Sequence, residues 1–228
     1  QIQFEEGYYI TNNGDKIEGY IENKDWRYTP ETFLFKSSLS AKEELKTIQE
    51  IKEFSVGNFL YEKHVVDVDK SSQNLNSLSQ ERAPQFQKDT LFLRKLVAGD
   101  ANLYIYETNN LNLYFYNKNV QPVQQLVYKP YASSRNTVSY NNKYKQQLYT
   151  NLTCESIEER DTINLDYKKT SLVKFVNEYN ICASGNSQNF ESSRKGSKGS
   201  FKITPRIGVD FSSLVLKSEL EGNFLTSS

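Results

Sequence analysis

Across residues 91–116 (LFLRKLVAGDANLYIYETNNLNLYFY) the chain alternates with a period of two. Leu91, Leu93, Lys95 and Val97 alternate with Phe92, Arg94, Leu96 and Ala98. Gly99-Asp100 and Glu107-Thr108-Asn109-Asn110 punctuate the run. Alternation broken by such clusters predicts three antiparallel strands joined by short turns. Tyr, Phe and Leu occupy both sides of the pleat, so both faces of this sheet are expected to be partly buried.

The same reading extends to both sides. Residues 4–10 (FEEGYYI) and 16–23 (KIEGYIEN) flank Asn13-Gly14, a strong short-range hairpin signal. Short strands are expected at 32–36, 46–56, 58–69 and 123–129, the last stopped by Pro130. Residues 37–46 are polar and leave room for a helical turn. Residues 71–85 (SSQNLNSLSQERAPQ) read as a long mobile loop.

From Tyr140 the period changes. Tyr140, Tyr144, Leu148 and Leu152 stand at i, i+4, i+8 and i+12, one face of a helix over 140–153. Leu172, Phe175, Val176 and Tyr179 predict a second helix over 170–181, capped by Thr170 or Ser171. Residues 155–165 read as a polar linker between them. Residues 183–200 (ASGNSQNFESSRKGSKGS) read as a flexible linker. Arg194, Lys195 and Lys198 within it are read as solvated cations rather than a phosphate or headgroup site.

Beyond the linker Phe201, Ile203, Pro205, Ile207, Val209 and Phe211 alternate with Lys202, Thr204, Arg206, Gly208 and Asp210. The length and the single apolar face match a tilted membrane β-strand of about 9–11 residues. A soluble edge strand gives the same pattern.

Composition narrows the class. The 228 residues carry 28 Lys+Arg against 28 Asp+Glu, so no net field favours nucleic acid or an anionic membrane. Tyr (16) and Phe (13) are abundant and Met is absent, which suits β-structure. A chain without Met that opens in a strand-like segment reads as a mature exported protein whose targeting segment has been removed. A piece cut at this point reads the same way. Cys154 and Cys182 are the two cysteines. In an exported protein they permit one disulfide, closing a loop of about 29 residues worth on the order of 3 kcal/mol. Two buried free thiols are the cytosolic alternative.

Candidate chemistry is sparse. His64, the single histidine, is placed on a strand face with Tyr61, Lys63 and Val65. With no second His, a His-based metal cluster is excluded, and no G-x-S-x-G nucleophile motif appears. Asp67 and Asp69 are read as solvated strand-end charges. Trp26 is read as a lid on the core. Glu5, Glu6, Glu18 and Glu22 bracket the first hairpin, but nothing in their spacing fixes a catalytic carboxylate pair. No cofactor and no enzymatic activity are expected.

The order of segments, GYYITNNGDKIEGYI, LFLRKLVAGDANLYIYE, NLYFY, QLVYK, YKQQLYTNLTC, LVKFVNEYNIC and FKITPRIGVDFSSL, resembles the outer-membrane β-barrel (porin-like) proteins of Bacteroidota that carry an N-terminal periplasmic domain. The resemblance implies a mainly β periplasmic domain over 1–182, an antiparallel meander, sandwich or partial barrel with a C-terminal helical pair. A membrane barrel would begin within 201–228, with Phe201, Ile203, Ile207, Val209 and Phe211 facing lipid. A removed targeting segment, a membrane-strand-like C-terminal stretch and no catalytic constellation lead to the expectation of a non-enzymatic domain that docks onto secretion, insertion or uptake machinery, with outer-membrane or periplasmic proteins and outer-membrane lipid as partners. The alternative is a carbohydrate- or peptidoglycan-binding module using Trp26, Tyr104, Tyr106, Tyr114 and Tyr116. Asp161-Thr162-Ile163 and Asp89-Thr90-Leu91 resemble the O-glycosylation motif of that phylum's exported proteins, Thr162 being the better placed of the two.

Overall fold

A computed structural model describes residues 3–24, 28–134 and 137–190. The described chain is mainly antiparallel β. Its strands in order are β1 (Gln3–Thr11), β2 (Lys16–Asn23), β3 (Thr32–Lys36), β4 (Glu44–Thr47), β5 (Ile51–Val56), β6 (Phe59–Val68), β7 (Gln87–Ala98), β8 (Ala101–Glu107), β9 (Asn112–Lys118), β10 (Gln124–Gln125), β11 (Lys129–Ser134) and β12 (Thr137–Asn141). Three helices follow, α1 (Lys143–Asn151), α2 (Glu159–Ile163) and α3 (Lys169–Ser184), then β13 (Gln188–Asn189). One large sheet runs in the order β10-β9-β8-β7-β6-β5-β1-β2-β3-β4, with β13 added to β7. β11 and β12 pair separately.

Registers divide the large sheet into two faces. On one face Tyr9, Phe54 and Tyr61 line up across β1, β5 and β6, and Phe92 of β7 joins them from the neighbouring pair, where it faces Lys63. They pack with Ile21, Phe33 and Phe35 into an aromatic core, in which Phe54 stacks on Tyr61 at 4.7 Å and on Phe33 at 4.3 Å. Gly7 and Gly19 pair across β1 and β2 on this face. A Cβ there would lie 2.4 Å from the Ser55 and Lys36 carbonyl oxygens, respectively. The missing side chains let the sheet curl over its aromatic core.

The same face carries Leu103, Ile105, Tyr114 and Tyr116 of β8 and β9, and here α1 and α3 cover it. A register shift between Lys95 and Val97 in β7 brings both Leu96 and Val97 into this second core. The opposite face of β6–β9 holds a third core of Val66, Val68, Leu91, Leu93, Tyr104 and Phe115. β10 curls back to the end of β6, where the Asp69 amide donates to Gln125 Oε1 at 2.8 Å. The central meander is thus buried on both faces, as its two-sided apolar pattern requires.

Several local expectations are corrected. Tyr140 belongs to β12 rather than to a helix, and α1 starts at Lys143. α3 begins at Lys169 with Lys168 at its N-cap, so Thr170 and Ser171 lie inside the helix and do not cap it. The polar linker contains α2, closed by a capping box between Glu158 and Asp161. The polar run after β3 forms turns and then β4, not a helical turn. The strand expected at 123–129 is only β10, and Pro130 sits inside β11, paired with Tyr140.

The supposed mobile loop is fastened at several points. Ser79 O accepts from the Ala132 amide at 2.9 Å, Arg82 O from Asn141 Nδ2 at 3.0 Å, and Ala83 O from Lys129 Nζ at 2.8 Å. Asp69 is buried and pairs with the buried Lys129 at 3.7 Å instead of meeting solvent; Asp67 is exposed. The first residues of the expected 183–200 linker form regular structure although most are exposed: α3 continues through Ser184 and β13 pairs with Val97 and Ala98. Trp26, the remainder of that linker and the expected membrane strand with Phe201, Ile203, Ile207, Val209 and Phe211 lie outside the described residues.

Candidate functional site

Charged side chains gather on the sheet face opposite the aromatic core. Strand alternation sends Glu53, Glu62, His64, Lys95 and Tyr104 to this side, while Phe54, Tyr61 and Lys63 point the other way. His64 therefore shares a face with Glu62 and not with Tyr61, Lys63 and Val65. Its ring is within 3.2 Å of Glu62 Oε2 and meets Tyr104 edge-on at 5.0 Å.

Glu53 and Glu62 are direct cross-strand partners, a position where like charges repel. Each carboxylate is given its own donors. Tyr8 Oη donates to Glu53 at 2.8 Å. Glu62 accepts from Tyr104 Oη at 3.1 Å and is paired with Lys95. Burial by itself would raise the Glu62 pKa, but the His64 hydrogen bond and the Lys95 charge outweigh it and bring the value down to about 2. Burial and the neighbouring carboxylates move the phenols the other way. Tyr8 is pushed up to about 12 and Tyr104 further still.

This arrangement holds charge in place. A general acid at neutral pH needs a carboxyl raised toward the working pH, and Glu62 is moved in the opposite direction. Next to the network the same face dips into a shallow depression of about 650 Å³, lined by Glu6, Tyr8, Glu18, Tyr20 and Ser55. Of the acids around the first hairpin, Glu6 and Glu18 meet at this depression, Glu18 bonded to Lys16 at 2.7 Å. Glu22 is buried beside Lys24. Among the described residues no group of three or more His, Cys, Asp or Glu is placed to hold a metal ion. No helix among them is long and apolar enough to cross a membrane.

Cys154 and Cys182 form a disulfide with Cα atoms 6.3 Å apart. It ties the segment after α1 to the last turns of α3, beside the apolar contacts of Leu148, Leu152, Leu172 and Val176. The two threonines fall in contrasting places. Thr162 is buried in α2 with its hydroxyl donated to Glu159 O at 2.8 Å. Thr90 is exposed on β7, so accessibility ranks it ahead of Thr162. Tyr104, Tyr106, Tyr114 and Tyr116 are all buried, so their rings serve cross-strand packing and offer no open stacking face.

The network of Glu53, Glu62, Lys95 and Tyr104 was not singled out from sequence. Its signal was the parity of positions in β5 and β6, which puts both glutamates opposite the apolar stripe. No protein-family model matches the chain, and no curated protein or solved structure matches it significantly.

Proposed function

We propose that this is a non-enzymatic outer-membrane protein whose N-terminal β-rich domain lies in the periplasm and docks onto another envelope component, of the secretion, insertion or uptake machinery. The Cys154–Cys182 disulfide supports an oxidising, extracytoplasmic compartment. The Phe201–Phe211 alternation supports anchoring in outer-membrane lipid through a barrel strand.

The observation that carries the docking is the depression of Glu6, Tyr8, Glu18 and Tyr20 beside the fixed Glu53 carboxylate. Tyrosine supplies contact area at low entropic cost, and tyrosine is enriched at protein interfaces. The Glu6 carboxylate, with Glu18 already shared with Lys16, favours a cationic, extended segment of the partner protein.

The test is in-cell photo-cross-linking from a photoreactive residue at Tyr20 in the full-length protein, with and without Glu6→Lys/Glu18→Lys. A discrete cross-linked envelope protein, lost on charge reversal, supports the reading. A chain that gives no cross-link, or one that charge reversal leaves intact, refutes docking at this face.

A further inference from the structure

Three tyrosines stack from the core of the helical layer out to its surface. Tyr167 is rooted inside: its hydroxyl donates to Leu126 O at 3.0 Å and accepts from the Tyr114 amide at 3.1 Å. Its ring meets Tyr114 and Tyr144 edge-on, each at 5.0 Å. Tyr128 stacks on Tyr167 at 4.6 Å and 15°. Tyr140 stacks on Tyr128 at 5.6 Å and 22° and remains 48% exposed. The outermost ring is therefore held rigidly from behind while its other side meets solvent.

Tyr140 separates two hollows. The larger, of about 880 Å³, is walled by Arg82, Pro84, Asn142, Lys143 and Gln146. The smaller, of about 260 Å³, reaches Tyr128, Asp166 and Lys168. Lys145 borders both, its ammonium bonded to Ile163 O. The wall bearing Arg82 is built in advance, because Asn141 holds the Arg82 carbonyl and Lys129 holds that of Ala83. Arg82, Lys143 and Lys145 outnumber the single acid of the larger hollow, Glu81.

We infer that this is a binding site for an acidic glycan, an oligosaccharide whose sugars carry carboxylates. The apolar C–H face of a pyranose lies flat on Tyr140, as polarised C–H groups lie on any electron-rich ring. Arg82 presents a planar fork that matches a carboxylate, and Lys143 adds a point charge. Asn142 and Gln146 offer both donors and acceptors for sugar hydroxyl or acetamido groups. A neutral glycan would gain nothing from the Arg82 and Lys143 charges, and a simple polyanion would leave the ring unused. The site is separate from the docking depression of the proposed function and does not depend on it.

Tetragalacturonate and its methyl ester are the probes, titrated calorimetrically against the full-length chain. The charged oligomer is expected to bind at least about tenfold more tightly than the ester, a difference of one decade in Kd. Tyr140→Ala should weaken the charged oligomer by about tenfold or more, Tyr140→Phe should not, and Arg82→Gln/Lys143→Gln should abolish the preference for charge. Unchanged far-ultraviolet circular dichroism and thermal midpoint show that each variant is folded. No heat with either probe at millimolar concentration, or binding that Tyr140→Ala leaves untouched, overturns the inference. So does equal affinity for the ester and the acid.

Discussion

Asn180 of α3 offers the sharpest test of how the helical layer is fixed to the sheet. Its side chain is fully buried. Oδ1 accepts from the Ala101 amide at 2.7 Å and Nδ2 donates to the Ala101 carbonyl at 2.9 Å. The approach is possible because residue 99 is glycine: a Cβ there would stand 2.4 Å from Nδ2 and 2.5 Å from Cγ. Asn180→Ala deletes both bonds and strands two buried backbone groups, which costs about 2–4 kcal/mol. Gly99→Ala drives the carboxamide out of the same place, so it loses the same bonds and costs about as much. Once Asn180 is alanine, the new methyl at residue 99 has no carboxamide to displace. The double variant should then be little worse than either single one, with a coupling of about 2 kcal/mol. Urea unfolding of the four proteins, followed by circular dichroism at constant m, measures that coupling. Costs that add to within about 0.5 kcal/mol would refute the shared contact.

Three further outcomes are expected. Replacing Cys154 and Cys182 by serine should lower the unfolding free energy by about 3–4 kcal/mol, the chain-entropy value for this loop; an unchanged thermal midpoint would show that the bridge constrains nothing. Glu62 has a depressed pKa, so its contribution is complete above its ordinary value of 4.5 and is lost as pH falls from there through about 2. Glu62→Gln should therefore flatten the acid limb of stability in that window, by on the order of 2–3 kcal/mol, in acid-titrated urea melts. Lys129→Met removes the counter-charge of buried Asp69, which keeps its Ser71 hydrogen bonds, and also the bond to Ala83 O; it should cost about 3–5 kcal/mol, with new proteolytic nicking in 71–85, and Lys129→Met/Asp69→Leu should recover part of the loss while the nicking persists.

Much of the architecture was legible because burial imprints its period on the chain. The three central strands, the Asn13-Gly14 hairpin and the apolar stripe of α3 follow directly from alternation and turn chemistry. Tyr140 shows the limit of that reasoning. Its spacing to Tyr144 and Leu148 is helical, yet its ring is used by stacking on Tyr128 while its backbone pairs in β12. Tertiary contact decided where the helix begins. Lys129 and Asp69 were unreadable for a related reason. Nothing local tells that two charges far apart in sequence will be buried against each other, pinning a segment whose composition alone reads as mobile. Of the candidate site, the cysteine pairing was legible and the carboxylate network was not. The network depends on which side of the pleat each glutamate takes and on a cross-strand register that no single strand encodes.

The decisive measurement for the central claim is fractionation of cells producing the native full-length protein, followed by its purification from detergent-solubilised outer membranes. The account predicts that it partitions with the outer membrane and is recovered in a defined complex with a second envelope protein. Recovery as a free monomer in the soluble fraction would contradict it.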